Sequence, residues 1–251
     1  MTIKEKFTID LLLSFGIFGK GKSVDELIKG KKPAIDNNKS EGLKSATFSM
    51  GCFWGPDSLF GAIPGVIRTR VGYAGGTKKN PTYHNLDGYT ETIQIDYDPD
   101  QISYKELIDI FWNNHDPTHL KSTQYMSIIF FHDDEQEKTA RKSKEMAQEE
   151  YSGNVKTEIR PISKFYLAED YHQKYHLSRN KKIYKAYKQI YPHMKDFTDS
   201  TAVARVNGYI SGNGTLESEE DLKALGLSEE GRKMVYKKWK SSGGEKICSL
   251  K

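Results

Sequence analysis

The chain has 251 residues, of which 36% are hydrophobic, 29% charged and 12% aromatic, with a formal net charge of +4. That length points to one core with extensions, and a modest charge without a basic, aromatic-interleaved stripe excludes nucleic-acid binding as a main role. Two cysteines, Cys52 and Cys248, exclude a disulfide framework and suit a reducing compartment.

The apolar stretch FTIDLLLSFGIFG at 7–19 falls short of the ~20 residues a membrane span needs, and Asp10 interrupts it. No small-residue cleavage site follows, so an amphipathic helix is expected rather than a signal peptide. Residues 20–45, rich in Gly, Lys and Asn, read as a linker. ATFSMG (46–51) alternates as a strand does. Gly55 and Pro56 then open a short helix, with Asp57 at the positive end of its dipole, and Pro64 and Gly65 stop it.

VIRTRVGY (66–73) predicts a second strand, followed by a long loop, AGGTKKNPTYHNLDG (74–88), of a length that is usually functional or disordered. ETIQIDYD (91–98) alternates strictly. Ser103 and Glu106 make a capping box ahead of a helix whose stripe is Tyr104, Leu107, Ile108, Phe111 and Trp112. YMSIIFF (125–131) reads as a buried strand. Residues 133–151 read as a charged surface helix, and VKTEIRPI (155–162) as an edge strand ended by its proline. Strand–helix–strand–strand–helix–strand over 46–131 predicts an α+β fold. Its core would be a ferredoxin-like split βαβ, a two-layer sandwich. Beyond residue 196 a helical and coil extension is expected, with Ser218 and Ser228 as N-caps, Gly226 as a helix stop and a flexible tail at 241–251.

Cys52 stands between a strand and a helix N-terminus, where backbone N–H groups and the dipole favour a thiolate. Burial among apolar groups would instead make it an inert structural thiol with a raised pKa. Glu91 shares a strand face with Ile93, Ile95 and Tyr97, so its carboxyl points into or beside the core unless the strand end turns to water. Desolvation there would keep it protonated near neutral pH. A reactive thiol, an aromatic pocket and such an acid suit reduction of a polar S=O or O–O bond. Tyr83 and Tyr125 are phenols able to hydrogen-bond the oxygen. His115 and His119 lack ligand spacing with Cys52, so no metal is expected.

Six separated motifs, GCFWG, VGYAGG, NPTYHNL, TETIQIDYDP, WNNHDPT and EDYHQKY, resemble in their order the peptide methionine sulfoxide reductase A family. The resemblance covers residues 44–195, a catalytic domain preceded by an extension and linker (1–43). Residues 196–251, with NGYISGNG and a tail cysteine, are similar to the C-terminal extension of insect-type members. The resemblance implies that Cys52 is the nucleophile and Glu91 the proton donor, that Tyr83 and Tyr125 bind the sulfoxide oxygen, and that Phe53 and Trp54 hold the S-methyl group. It implies reduction of methionine-(S)-sulfoxide, free or in oxidised proteins, as repair of oxidative damage. A Cys52 sulfenic acid would be resolved by Cys248, and the disulfide recycled by thioredoxin, or by dithiothreitol in vitro, with no bound cofactor. A cytoplasmic monomer without membrane or nucleic-acid partners is expected. A thiol peroxidase, or a redox sensor that does not turn over, would use the same cysteine pair.

The chain also departs from the family pattern. THLKSTQY (118–125) is short and carries no carboxylate where many members have an acidic residue. Met126 replaces a common arginine, and Tyr89 a common histidine. His172 in EDYHQKY reads as structural, bridging the wrapped C-terminal segment to the core.

Overall fold

The structure is a computed structural model that describes residues 27–37 and 41–244. The helix expected at 7–19 and the tail bearing Cys248 lie outside the described residues. Among the described residues no helix is long and apolar enough to cross a membrane.

The first half runs β1 (Lys44–Met50), α1 (Trp54–Gly61), β2 (Val66–Ala74), β3 (Thr90–Tyr97), α2 (Tyr104–Asn113), β4 (Ser127–Phe131) and α3 (Asp134–Glu150). Two short strands, β5 (Glu158–Pro161) and β6 (Phe165–Leu167), complete one six-stranded sheet of order β5-β4-β1-β3-β2-β6. β3 lies antiparallel between β1 and β2, and β1 lies antiparallel between β3 and β4, so the two βαβ units interleave. β5 pairs parallel with β4 at one edge and ends at Pro161, which has no N–H to extend a ladder.

Alternation along β1 and β3 reflects two covered faces. Ala46, Phe48, Ile93, Ile95 and Tyr97 pack with Leu107, Ile108 and Phe111 of α2 and with Ala140 and Ala147 of α3. Burying a ring such as Phe48 contributes about 1.5–3 kcal/mol. On the opposite face Thr47 pairs its hydroxyl with His132 Nε2 at 2.9 Å, and Ser49 pairs with Thr92 at 2.7 Å. Those hydroxyl pairs meet the demand that buried polar groups be bonded. The capping box of Ser103 and Glu106 opens α2 as the sequence predicts.

The second half is helical, with α4 (Tyr175–Arg179), α5 (Lys181–Ile190), α6 (Met194–Asp199), α7 (Thr201–Ile210) and α8 (Glu229–Ser241). Ser218 and Ser228 cap as expected, and Gly226 ends its 3-10 turn with φ of 74°. α7 crosses α1 closely. A methyl on Gly61 would fall 2.7 Å from the Ala204 carbonyl oxygen, and one on Gly208 would fall 2.6 Å from that of Ser58. Arg205 adds hydrogen bonds to the carbonyls of Gly61 (2.6 Å) and Val66 (3.0 Å), tying the helix after Cys52 to the extension.

The stretch read as a linker departs from that expectation over 27–37. Leu27 and Ile28 are buried with Leu222, Leu225, Leu227, Val235 and Trp239, and Lys29 N–H donates to the Gly226 carbonyl at 3.0 Å. Asp36 accepts from Ser200 Oγ at 2.7 Å, from the Ala202 amide at 3.1 Å and from the Tyr191 hydroxyl. The polar composition hid two apolar residues and one capping carboxylate, whose partners lie over 150 residues away.

Candidate active site

The turn after β1 fixes Cys52. Gly51 takes φ of +95°, a region that favours glycine, and Phe53 is the N-cap residue of α1. Cys52 is exposed, whereas Phe53 is buried against Tyr73 and His172, with ring centroids 6.0 and 5.1 Å away. The first N–H groups of α1 divide their attention. Phe53 N–H donates to Glu91 Oε2 at 3.1 Å, and Trp54 N–H reaches the Cys52 sulfur.

Glu91 is 1% exposed at the end of the apolar row of β3, so its side chain points inward rather than to water. Burial pushes its pKa up. Hydrogen bonds from Gln124 Nε2 (2.8 Å), the Phe53 amide and the Cys52 thiol pull the other way without cancelling the desolvation. The direction of this shift is the one expected for a desolvated carboxyl.

The Cys52 thiol does not follow its expectation of lowered pKa. Burial raises it first, and the charge of Glu91 and the hydrogen bond to it raise it further. Only the Trp54 amide opposes them. Desolvation of the thiol outweighs the Trp54 amide, and Glu91 adds to it. The charge of Glu91 disfavours a thiolate beside it, so the two groups oppose each other's ionisation.

Tyr83 and Tyr125 converge on this pair. Their side chains hydrogen-bond each other, and Tyr125 senses the charge of both Glu91 and Cys52. Burial, followed by Glu91, pushes its pKa up to about 12. The phenol therefore stays a donor at neutral pH. Tyr83 is held by its backbone amide, which donates to Glu169 Oε1 at 3.0 Å. Oε2 of the same carboxylate accepts from Tyr73 at 2.8 Å.

Trp54, half-buried, stacks on Tyr175 at 3.7 Å and 6° and donates its indole N–H to His172 Nδ1 at 3.3 Å. Because indole only donates, Nδ1 is the acceptor, and neutral His172 carries its proton on Nε2. Burial lowers the pKa of His172, favouring that neutral form. Behind this wall Lys174 and Asp57 form a fully buried ion pair at 2.7 Å. Thr69 joins it through its carbonyl and hydroxyl, and Asn207 through a bond of 3.3 Å. Asp57 thus faces a buried lysine rather than merely standing at a helix end.

The structure brings together Cys52, Glu91, Tyr83, Tyr125, Phe53 and Trp54; Cys248 is outside the described residues. Gln124, Glu169, His172 and Tyr175 complete the setting. Sequence reasoning did not assign them roles in the site, although QY and EDYHQKY contain them all. Cys52 opens onto a depression of about 460 Å³ lined by Gly51, Cys52, Lys121, Ser122 and Tyr125. A larger one of about 680 Å³, lined in part by Asp36, Arg68 and Asp199, has no cysteine in its lining and lies where 27–37 meets the C-terminal helices.

The family model for peptide methionine sulfoxide reductase matches residues 44–205. A peptide methionine sulfoxide reductase of Drosophila melanogaster is 44% identical over 197 residues, spanning 76% of this chain and 78% of its own. The MsrA of Methanosarcina mazei is 46% identical over 153 residues, spanning 56% and 72%. Among solved structures, reduced Mxr1 from Saccharomyces cerevisiae is 33% identical with a TM-score of 0.52, covering 57% of this chain and 92% of that one. Methionine sulfoxide reductase A of Corynebacterium diphtheriae is 34% identical with a TM-score of 0.51, covering 57% and 77%.

Proposed function

The chain belongs to the peptide methionine sulfoxide reductase family and is a peptide-methionine (S)-S-oxide reductase, and from that premise we propose how its residues divide the reaction. Cys52 attacks the sulfoxide sulfur as a thiolate. Glu91 gives its proton to the sulfoxide oxygen, which Tyr83 and Tyr125 hold by their hydroxyls. Attack makes a bond between the Cys52 and substrate sulfurs. The protonated oxygen then passes from the substrate sulfur to the Cys52 sulfur, and the S–S bond breaks with its electron pair returning to methionine, leaving Cys52 as a sulfenic acid. Two electrons have moved from the thiol to the substrate.

Cys248 then displaces water from the sulfenic acid, giving a Cys52–Cys248 disulfide, and a thioredoxin dithiol reduces it. Cys248 earns this assignment as the sole other cysteine of the sequence, in a glycine-bearing tail. Residues 44–195 carry the chemistry and 196–251 deliver the resolving thiol. Trp54 offers the S-methyl group its half-exposed ring, with Phe53 backing it. In this reading the chain acts as a cytoplasmic monomer repairing oxidised proteins or free methionine sulfoxide.

One observation carries this reading: the thiol and the buried Glu91 are hydrogen-bonded where two phenols converge. The test is turnover of the separated (S)- and (R)-sulfoxides with thioredoxin, beside hydrogen peroxide. Reduction of the (S)-epimer alone supports the assignment. Faster consumption of peroxide would make the chain a thiol peroxidase, and a single oxidation without recycling would make it a sensor.

A further inference from the structure

The loop at 118–125, which carries no carboxylate, brings a cation to the site. Lys121 lines the same depression as Cys52, and a methyl built on Gly51 would stand 3.4 Å from the Lys121 ammonium nitrogen. Glycine at 51 therefore leaves the ammonium against the backbone of the residue preceding the nucleophile. Lys121 makes no hydrogen bond or ion pair among the described residues, while its charge reaches the ring of His115. Of the five residues lining the depression it is the one that bears a formal charge.

We propose that Lys121 is a specificity-determining residue that receives a carboxylate of the substrate at the mouth of the Cys52 depression. The inference rests on Cys52 as the attacking group. A methionine sulfur is four bonds from its α-carboxylate carbon, roughly 5 Å when extended. Cys52 and Lys121 line one depression, so a single small molecule can present its sulfur to one and its carboxylate to the other. The same ammonium can take an Asp or Glu side chain beside a sulfoxide within a polypeptide. The site of origin differs, but the chemistry recognised is a carboxylate.

The cation serves the substrate rather than the thiol. The Cys52 sulfur is governed chiefly by burial, the Trp54 amide and Glu91. Its exposed ammonium, at an open rim, adds ground-state binding that appears in KM and leaves kcat alone. A solvent-facing ion pair supports a preference of about fivefold, weakening as salt screens it.

The test compares N-acetyl-methionine-(S)-sulfoxide with its N-methylamide in the parent and in Lys121→Met and Lys121→Glu. A second arm uses blocked peptides with Asp or Lys beside the sulfoxide. In the parent the acid should exceed the amide in kcat/KM by about fivefold through KM. That ratio should approach one in Lys121→Met and invert in Lys121→Glu. An effect confined to the first arm identifies the α-carboxylate as the ligand, and an effect in the second identifies side-chain carboxylates. A ratio unchanged in both variants and both arms overturns the inference, as does an equal loss on acid and amide with a shifted pH profile of Cys52 alkylation. Failure of the parent to reduce any of these sulfoxides would instead overturn the reading of Cys52 itself.

Discussion

The backbone N–H of Phe53 donates to Oε2 of Glu91 across 3.1 Å, so the residue following the nucleophile is bonded to the proton donor. That contact spans 38 positions of sequence and fixes the helix start against the end of β3. Of the first amides of α1, Phe53 thus serves the carboxylate and Trp54 the thiol, where burial outweighs it.

Replacing Glu91 by Gln preserves the shape and removes the proton. The sulfoxide-reducing step should slow about 10²–10⁴-fold, as expected when general acid catalysis is lost. Single-turnover release of methionine measures it. An unchanged rate would assign the proton to another group.

Attack by a Cys52 thiolate with proton donation by Glu91 predicts a bell-shaped kcat/KM against pH. Activity needs one proton on the pair, so it rises on the acid side as the first proton leaves and falls as the second does. Gln124 favours the charged form of Glu91 by donating at 2.8 Å. Removing that donor in Gln124→Leu should raise the Glu91 pKa and move the alkaline limb to higher pH. A limb that stays or moves to lower pH would deny that Glu91 titrates there.

Lys174→Met leaves the Asp57 charge buried without its partner. Breaking one side of such a pair costs about 3–5 kcal/mol, and urea unfolding should report it. The double variant Asp57→Asn, Lys174→Met should recover part of the loss. A single variant as stable as the parent would mean that the pair does not hold the 169–175 segment to α1.

Trp54→Ala removes a ring that stacks on Tyr175 and binds His172. Efficiency toward methionine sulfoxide should fall while Cys52 alkylation by a small reagent continues at its former rate. Equal losses in both assays would make Trp54 a folding residue.

Most of the sheet was legible because local rules act locally. The Ser103 and Glu106 box, the Gly226 stop and the Glu91 row follow from spacing of three, one and two residues. What escaped depends on approach in space. No periodicity connects Trp54 with His172, Asp57 with Lys174, or Leu27 with Val235, and the Cys52 pKa depends on burial in the folded chain and on a carboxyl 39 positions away. Polar composition suggested a linker at 20–45 for the same reason: Leu27 is buried only because α8 and the Gly226 turn are there to cover it.

The central claim is that Cys52 receives the substrate oxygen. In Cys248→Ser, which lacks the resolving thiol, one turnover with methionine-(S)-sulfoxide in the presence of dimedone should trap the sulfenic acid. Mass spectrometry should find one adduct on Cys52 for each methionine released, and none with the (R)-epimer. Methionine formed while Cys52 remains an unmodified thiol would contradict the account.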